Sequence, residues 1–200
     1  DWNKPDEMHF QLNYRPGDSR NESFAKKLNN GHLGIYGPAQ PAKPTLTAIQ
    51  QKRQDTPWLA EAVTAQEELP TPDGIGRFRA YKGGMIYWTA KTGAFAMSLE
   101  MVDKYRSVGY ETSFLKYPTS DTFGIAGGRC QRFQGGSMYW NEKLNKTFLI
   151  YGRIGAEWAS WNWEKGYMGL PVEDPVNFDG GAKQTFTNGK IYWSNKTDAH

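Results

Sequence analysis

A mixed, β-rich fold made of tandem repeats is the expectation for this chain, and three observations carry it. An aromatic phrase occurs three times, as Gly83-Gly84-Met85-Ile86-Tyr87-Trp88, Gly135-Gly136-Ser137-Met138-Tyr139-Trp140 and Asn188-Gly189-Lys190-Ile191-Tyr192-Trp193. Its tryptophans are spaced by 52 and then 53 residues. Other residues match at the same interval, among them Tyr105 with Trp158, Asp121 with Asp174 and Phe133 with Phe186. A fixed period of this size marks units that are each too small to bury a core alone.

The elements of one unit follow in order. An amphipathic helix is expected first, over residues 46–53 in the first copy and around Tyr105 and Trp158 in the next two. A Pro-punctuated loop comes next, carried by Leu115-Lys116-Tyr117-Pro118-Thr119 and Met168-Gly169-Leu170-Pro171-Val172. Two short strands then flank the Gly turn, with Tyr81, Phe133 and Phe186 just before it. Polar turns close the copies at 89–93, 141–146 and 194–198. Each unit therefore reads as a short helix plus a β-hairpin, and three units are expected at about 46–97, 98–150 and 151–200, the last truncated.

The repeated pair also suggests chemistry. Aromatic residues make up 14% of the chain, with 8 Trp and 11 Tyr, while the mean hydropathy is −0.74. Amphipathic rings offer a flat apolar face with a polar tip, which suits the C–H faces and hydroxyls of sugars. The candidate ligand-binding residues are therefore Tyr87, Trp88, Tyr139, Trp140, Tyr192 and Trp193. Adjacent residues on a strand point to opposite faces, so one ring of each pair belongs to the core. The larger Trp is expected to be the more buried, and repetition is equally what a shared core would produce.

These motifs resemble the LGFP repeat family of actinobacterial cell-wall proteins. The Leu-Gly-Phe-Pro phrase stands here as Met168-Gly169-Leu170-Pro171 and, more loosely, Leu115-Lys116-Tyr117-Pro118. The family's Thr-Gly-Ala-His turn appears as Thr92-Gly93-Ala94-Phe95 and Thr197-Asp198-Ala199-His200, and is eroded at Asn145-Lys146-Thr147-Phe148. The resemblance covers residues 46–200. It implies units set around a pseudo-rotational axis and binding to a cell-wall polysaccharide, arabinogalactan or a peptidoglycan glycan. It also implies an extracellular or wall location or, for a phage-encoded protein, synthesis in the host cytoplasm or carriage on the virion.

Residues 1–37 lack the repeat and read as a small α/β remnant, and 38–45 as a semi-rigid linker through Pro38-Ala39-Gln40-Pro41-Ala42-Lys43-Pro44. The phrase Asp6-Glu7-Met8-His9-Phe10 resembles the last zinc-binding strand of peptidoglycan peptidases of the D-Ala-D-Ala carboxypeptidase type. By that resemblance His9 would bind zinc and Asp6, with Glu7 as the second choice, would be the catalytic base, the remaining ligands lying upstream of Asp1. A catalytic zinc needs about three protein ligands, so no cofactor is expected in this chain alone, and zinc belongs to a longer parent. The start at Asp1 and the stop at His200 read as cut ends of such a parent. Peptidase followed by wall-binding repeats is the plan of a phage endolysin. The alternative is a structural or adhesive module of a phage tail or secreted wall protein, without turnover.

Composition narrows the rest. A net charge of +3 with scattered Lys and Arg gives no footprint for nucleic acid. No apolar run is long enough to span a membrane. A single cysteine, Cys130, excludes an intrachain disulfide and multi-Cys metal sites. The acid pairs Glu67-Glu68 and Glu173-Asp174 read as solvated loop residues, as does Glu157 on a helix, and Gly127-Gly128 and Gly180-Gly181 read as turns.

Overall fold

A computed structural model describes residues 45–194 except 64, 66 and 67. Asp6, His9, the expected peptidase-like remnant and the last repeat turn at 197–200 lie outside the described residues. The first unit comprises α1 (Ala48–Asp55), a 3-10 turn (Pro57–Leu59) and strands β1 (Leu69–Pro70), β2 (Arg77–Tyr81), β3 (Gly84–Thr89) and β4 (Gly93–Ser98). The second repeats it with α2 (Leu99–Ser107), a turn at Tyr110–Thr112, β5 (Phe123–Ile125), β6 (Gly128–Phe133), β7 (Gly136–Asn141) and β8 (Lys146–Ile150). The third has α3 (Gly152–Ser160), a turn at Trp163–Lys165, β9 (Val176–Phe178), β10 (Gly181–Phe186) and β11 (Gly189–Ser194).

The strands form three antiparallel sheets in the orders β1-β2-β3-β4, β5-β6-β7-β8 and β9-β10-β11. The expected hairpin is present in each sheet as β2-β3, β6-β7 and β10-β11, and it is flanked by β1, β5 and β9 and, in the first two sheets, by β4 and β8. Sequence patterning missed β1, β5 and β9 because they run only two or three residues, too short to show alternation.

Local chemistry sets the elements. Thr47 and Gln50 close a reciprocal capping box on α1. The hairpin turns between β5 and β6 and between β9 and β10 use Gly127 and Gly180 at φ of 73° and 71°, a region that β-carbons disfavour. In the Gly-Gly phrase the reason is contact, since a β-carbon on Gly135 would sit 1.9 Å from the Phe114 carbonyl oxygen. Buried Pro118 and Pro171 bridge Phe133 and Phe186, which ties each Pro-punctuated loop to its own sheet.

Helices and sheets share their cores. Ile49 of α1 packs with Leu59, Tyr81, Ile86 and Ala96 on one face of the first sheet. The opposite face presents Met85, Tyr87 and Met97 to α2, which contributes Met101, Val102 and Tyr105. Phe133, Met138 and Leu149 of the second sheet belong to the same cluster. The scheme recurs one unit on, where Tyr139 and Ile150 of the second sheet meet Ile154 and Trp158 of α3 and Phe186 and Ile191 of the third. A ring on α2 and another on α3 are thus each held between rings of two sheets. Tyr105 lies 5.5 Å from Tyr87 and 5.0 Å from Phe133, and Trp158 lies 4.8 Å from Tyr139 and 5.3 Å from Phe186. The polar tip of that ring also repeats its task. The Tyr105 hydroxyl donates to the Lys116 carbonyl at 2.6 Å and the Trp158 indole N–H to the Gly169 carbonyl at 3.1 Å. Each large side chain buried this way contributes roughly 1.5–3 kcal/mol.

This layering reverses the expected roles in the first two Tyr-Trp pairs, whereas in the third Tyr192 is exposed and Trp193 is the more buried ring, as expected. Tyr87 and Tyr139 are 2% and 6% exposed, whereas Trp88, Trp140 and Trp193 are only partly buried. Both faces of the first two sheets are covered by a helix, so pointing toward α1 or α2 does not bury the Trp. It stands near the strand end, at the margin of the core cluster on that face.

The units are fastened by a repeated joint. Asp121 accepts the Ala96 N–H at 2.8 Å and pairs with Lys52 at 3.0 Å. Gln131, fully buried, donates to the carbonyls of Ser120 at 2.6 Å and Ala96 at 3.4 Å. At the next joint Asp174 accepts the Leu149 N–H at 2.8 Å and pairs with Lys104, and Gln184 donates to the carbonyls of Leu149 and Glu173 at 2.8 and 2.9 Å. These side chains satisfy the outer edges of β4 and β8, whose backbone groups would otherwise be open to another strand. Glu173-Asp174 is therefore a structural fastening, and not the solvated acid pair that its loop position suggests; the Glu173 carboxylate also accepts the Thr185 hydroxyl.

Candidate functional site

The Gly-Gly-x-x-Tyr-Trp phrase sends its two rings to different tasks, and Trp140 shows what the second ring can do. On β7 it lies opposite Arg129 of β6 and Thr147 of β8, so its cross-strand neighbours on the helix-facing side are both polar. The Arg129 guanidinium sits over the indole at 5.6 Å and pairs with Glu100 of α2 at 2.6 Å. The indole N–H donates to Asn145 at 3.3 Å, and the Thr147 hydroxyl donates to the Glu100 carbonyl at 2.8 Å. Beside the ring opens a cleft of about 550 Å³ lined by Glu100, Asp103, Lys104, Asn145, Lys146 and Asp174.

The cleft offers one aromatic wall, carboxylates that accept from hydroxyls, and ammonium groups that donate to ring or glycosidic oxygens. Asp103 is held by Arg106 at 3.3 Å and Asp174 by Lys104, so the acids are already oriented. Such a surface suits a polar ligand with an apolar face. Among the described residues no cluster of three or more His, Cys, Asp or Glu could hold a metal ion, and no helix is long and apolar enough to cross a membrane.

The remaining candidates are distributed by the same rule. Trp88 packs beside Ala62 and Ala94 at the rim of the first core, opposite Arg77. Trp193 packs at the rim of the third, opposite Ala182. Neither has the Arg129–Glu100 arrangement, because the residues matching Glu100 and Arg129 in the third unit are Arg153 and Ala182. Tyr87 and Tyr139 lie in the shared cores, where burial holds their hydroxyls protonated far above the ordinary tyrosine range. Tyr192 differs. It is 40% exposed on the outward face of the third sheet, 5.5 Å from Phe178, whose ring Lys183 covers at 4.6 Å.

The structure therefore groups Trp140 with Glu100, Arg129, Asp103 and Asn145, none of which the sequence reading nominated. Asp174 was visible there as a periodic match, though not as a member of a cleft.

A family described as LGFP repeat matches residues 63–113, 115–166 and 168–200. No curated protein gives a significant match. Repeats of this family are generally associated with the cell wall and typically occur in secreted or cell-wall proteins. Three consecutive matches over more than half of the chain, at the period of the three structural units, show that this protein belongs to the LGFP repeat family.

Proposed function

We propose that the chain binds a cell-wall polysaccharide, arabinogalactan or a peptidoglycan glycan, with the Trp140 cleft as its best-formed site. The observation that carries this reading is the partly exposed indole framed by oriented acids, amide and ammonium groups. Trp88 and Trp193, at equivalent positions of the other two units, supply weaker flanking contacts, and Tyr192 offers a further exposed ring. Tyr87 and Tyr139 support the sites from the core. Each contact is weak, but tethered sites that reach one polymer together raise avidity roughly 10²- to 10⁴-fold.

Retention on purified walls from a mycolate-bearing actinobacterium, with a Firmicute wall as control, tests the proposal. Trp140→Ala is expected to lower the retained fraction several-fold with the fold intact by circular dichroism. Wild-type retention by that variant would overturn the assignment of the cleft. Within this reading the array is the targeting part of a peptidoglycan-degrading endolysin, to which Asp6 and His9 would contribute a base and a zinc ligand. In the full-length parent His9→Ala should then abolish hydrolysis while leaving wall retention unchanged. A tail or adhesion module would show no turnover in either form.

A further inference from the structure

The two joints are built from matched residues, yet one is filled and the other open. At the first, Phe78 stacks on Tyr87 at 5.5 Å and 22°. The Tyr117 hydroxyl reaches across to Asp73 at 2.6 Å and to Thr71 at 2.8 Å. At the second, the residues matching Phe78 and Tyr117 are Cys130 and Leu170, both smaller. Beside Cys130, at its cross-strand partners Phe123 and Tyr139, opens a cleft of about 600 Å³ between the second sheet and the turn at Trp163–Lys165.

The lining of that cleft is not what a passive packing defect would leave. Trp163 stands at its rim 47% exposed, with a φ of 51° next to Asn162 at 68°. A left-handed conformation at a bulky residue costs roughly 1–2 kcal/mol. The matched Tyr110 shares that backbone, at 55°, but its ring is packed on Tyr105 at 5.6 Å and its hydroxyl accepts from Arg106 at 2.8 Å. Opposite Trp163, the Arg132 guanidinium lies over Phe123 at 5.4 Å, and no ion pair to Arg132 is found among the described residues. The matched position at the filled joint is Ala80. Glu164 and Lys165 complete the rim.

We propose that this cleft is a second binding site, specific for a sugar that carries a carboxylate. Trp163 and Phe123 take the apolar faces of the sugar, Arg132 takes the carboxylate with Lys165 adding positive charge, and Glu164 accepts from hydroxyls. The site rests on the wall-binding reading above and deepens it, because the muramyl residue of a peptidoglycan strand bears a free carboxylate wherever no stem peptide is joined to it.

The test compares two disaccharides by isothermal titration calorimetry, N-acetylglucosaminyl-N-acetylmuramic acid and chitobiose, which lacks the carboxylate. The acidic sugar is expected to bind roughly tenfold or more tightly, the scale of a charge-assisted hydrogen bond. Arg132→Gln should remove that preference, and Trp163→Ala should weaken binding of the acidic disaccharide. Cys130→Phe, which restores the ring found at the filled joint, should fold and close the site, while Trp140→Ala should leave it intact. Equal affinity of the wild type for the two sugars, or unchanged binding by Cys130→Phe, would overturn the inference. Walls retained without any binding of the acidic disaccharide would sink this site and spare the wall-binding reading. Disaccharide bound without wall retention would do the reverse.

Discussion

At the first joint Asp121 holds the N–H of Ala96 and the ammonium of Lys52, and at the second Asp174 holds the N–H of Leu149 and the ammonium of Lys104. Beneath this common fastening the interiors diverge. The first contains a packed group of Phe78, Tyr87, Tyr105 and Tyr117, whereas the second has Cys130 and Leu170 at two of those positions and leaves a cleft. The lesson is that edge hydrogen bonds and the central helix ring hold the units together. The side chains beside them are then free to vary, and that is where a repeat can become a site.

Three measurements test the contrast. The largest effect is expected from Trp158→Ala, which removes a fully buried ring common to both sheets at the second joint. A loss of about 3–5 kcal/mol should appear in urea unfolding, and hydrogen exchange should place it in α3, the second sheet and the third, with the first sheet spared. A uniform loss over all three sheets would mean that the array unfolds as a single block. Next comes Asp174→Ala, which leaves the N–H of buried Leu149 without its acceptor. Its cost should be about 1–2 kcal/mol. Asp174→Asn, which keeps an acceptor and loses only a partly exposed ion pair, should cost less than about 1 kcal/mol. Equal losses would assign the joint to charge instead of to edge capping.

The smallest effect concerns pH at the filled joint alone. Burial lifts Glu111 above its ordinary 4.5 against a backbone hydrogen bond, and the charge of Asp73 adds to the rise. One carboxylate oxygen of Glu111 is buried without a hydrogen-bond partner. The folded chain therefore keeps a proton that the unfolded chain has lost, and stability falls as pH rises from about 4.5 through the folded value. Asp73 moves the other way. Its slight desolvation is outweighed by hydrogen bonds from Tyr117, Ile75 and Thr71, so its contribution is lost only in more acidic solution, below its ordinary 3.8. Glu111→Gln should flatten the decline above pH 4.5 in urea melts, and a decline unchanged in that variant would assign it to other groups.

The repeat, the helices around Tyr105 and Trp158 and the Gly turns were legible because each is written locally, as a period, an amphipathic run or a forced backbone angle. The loose Leu115-Lys116-Tyr117-Pro118 phrase also has a local explanation. Lys116 adopts φ 55° where Gly169 has 67°, so the chain keeps the left-handed turn and accepts a small strain at the non-Gly residue. The burial order of Tyr and Trp was not legible. Alternation says that neighbours face apart, but not that both faces are covered, nor how far along the strand each helix reaches. The same limit hid the clefts, since Glu100 and Arg129 come from one unit yet are separated by 29 residues in sequence. Asp121 and Asp174 could be seen to recur, while their partners Lys52 and Lys104 lie 69 and 70 residues away.

One consequence follows from a helix that serves two sheets. If α2 detaches, Tyr87 on one side and Phe133 on the other lose their cover together, so local opening at the middle of the array exposes two units at once. A protease outside the cell would thus meet either a closed surface or several cleavable segments, with little in between. Digestion should pass from intact protein to small fragments without accumulating a stable single unit, so the shared helix sets the smallest piece able to survive there.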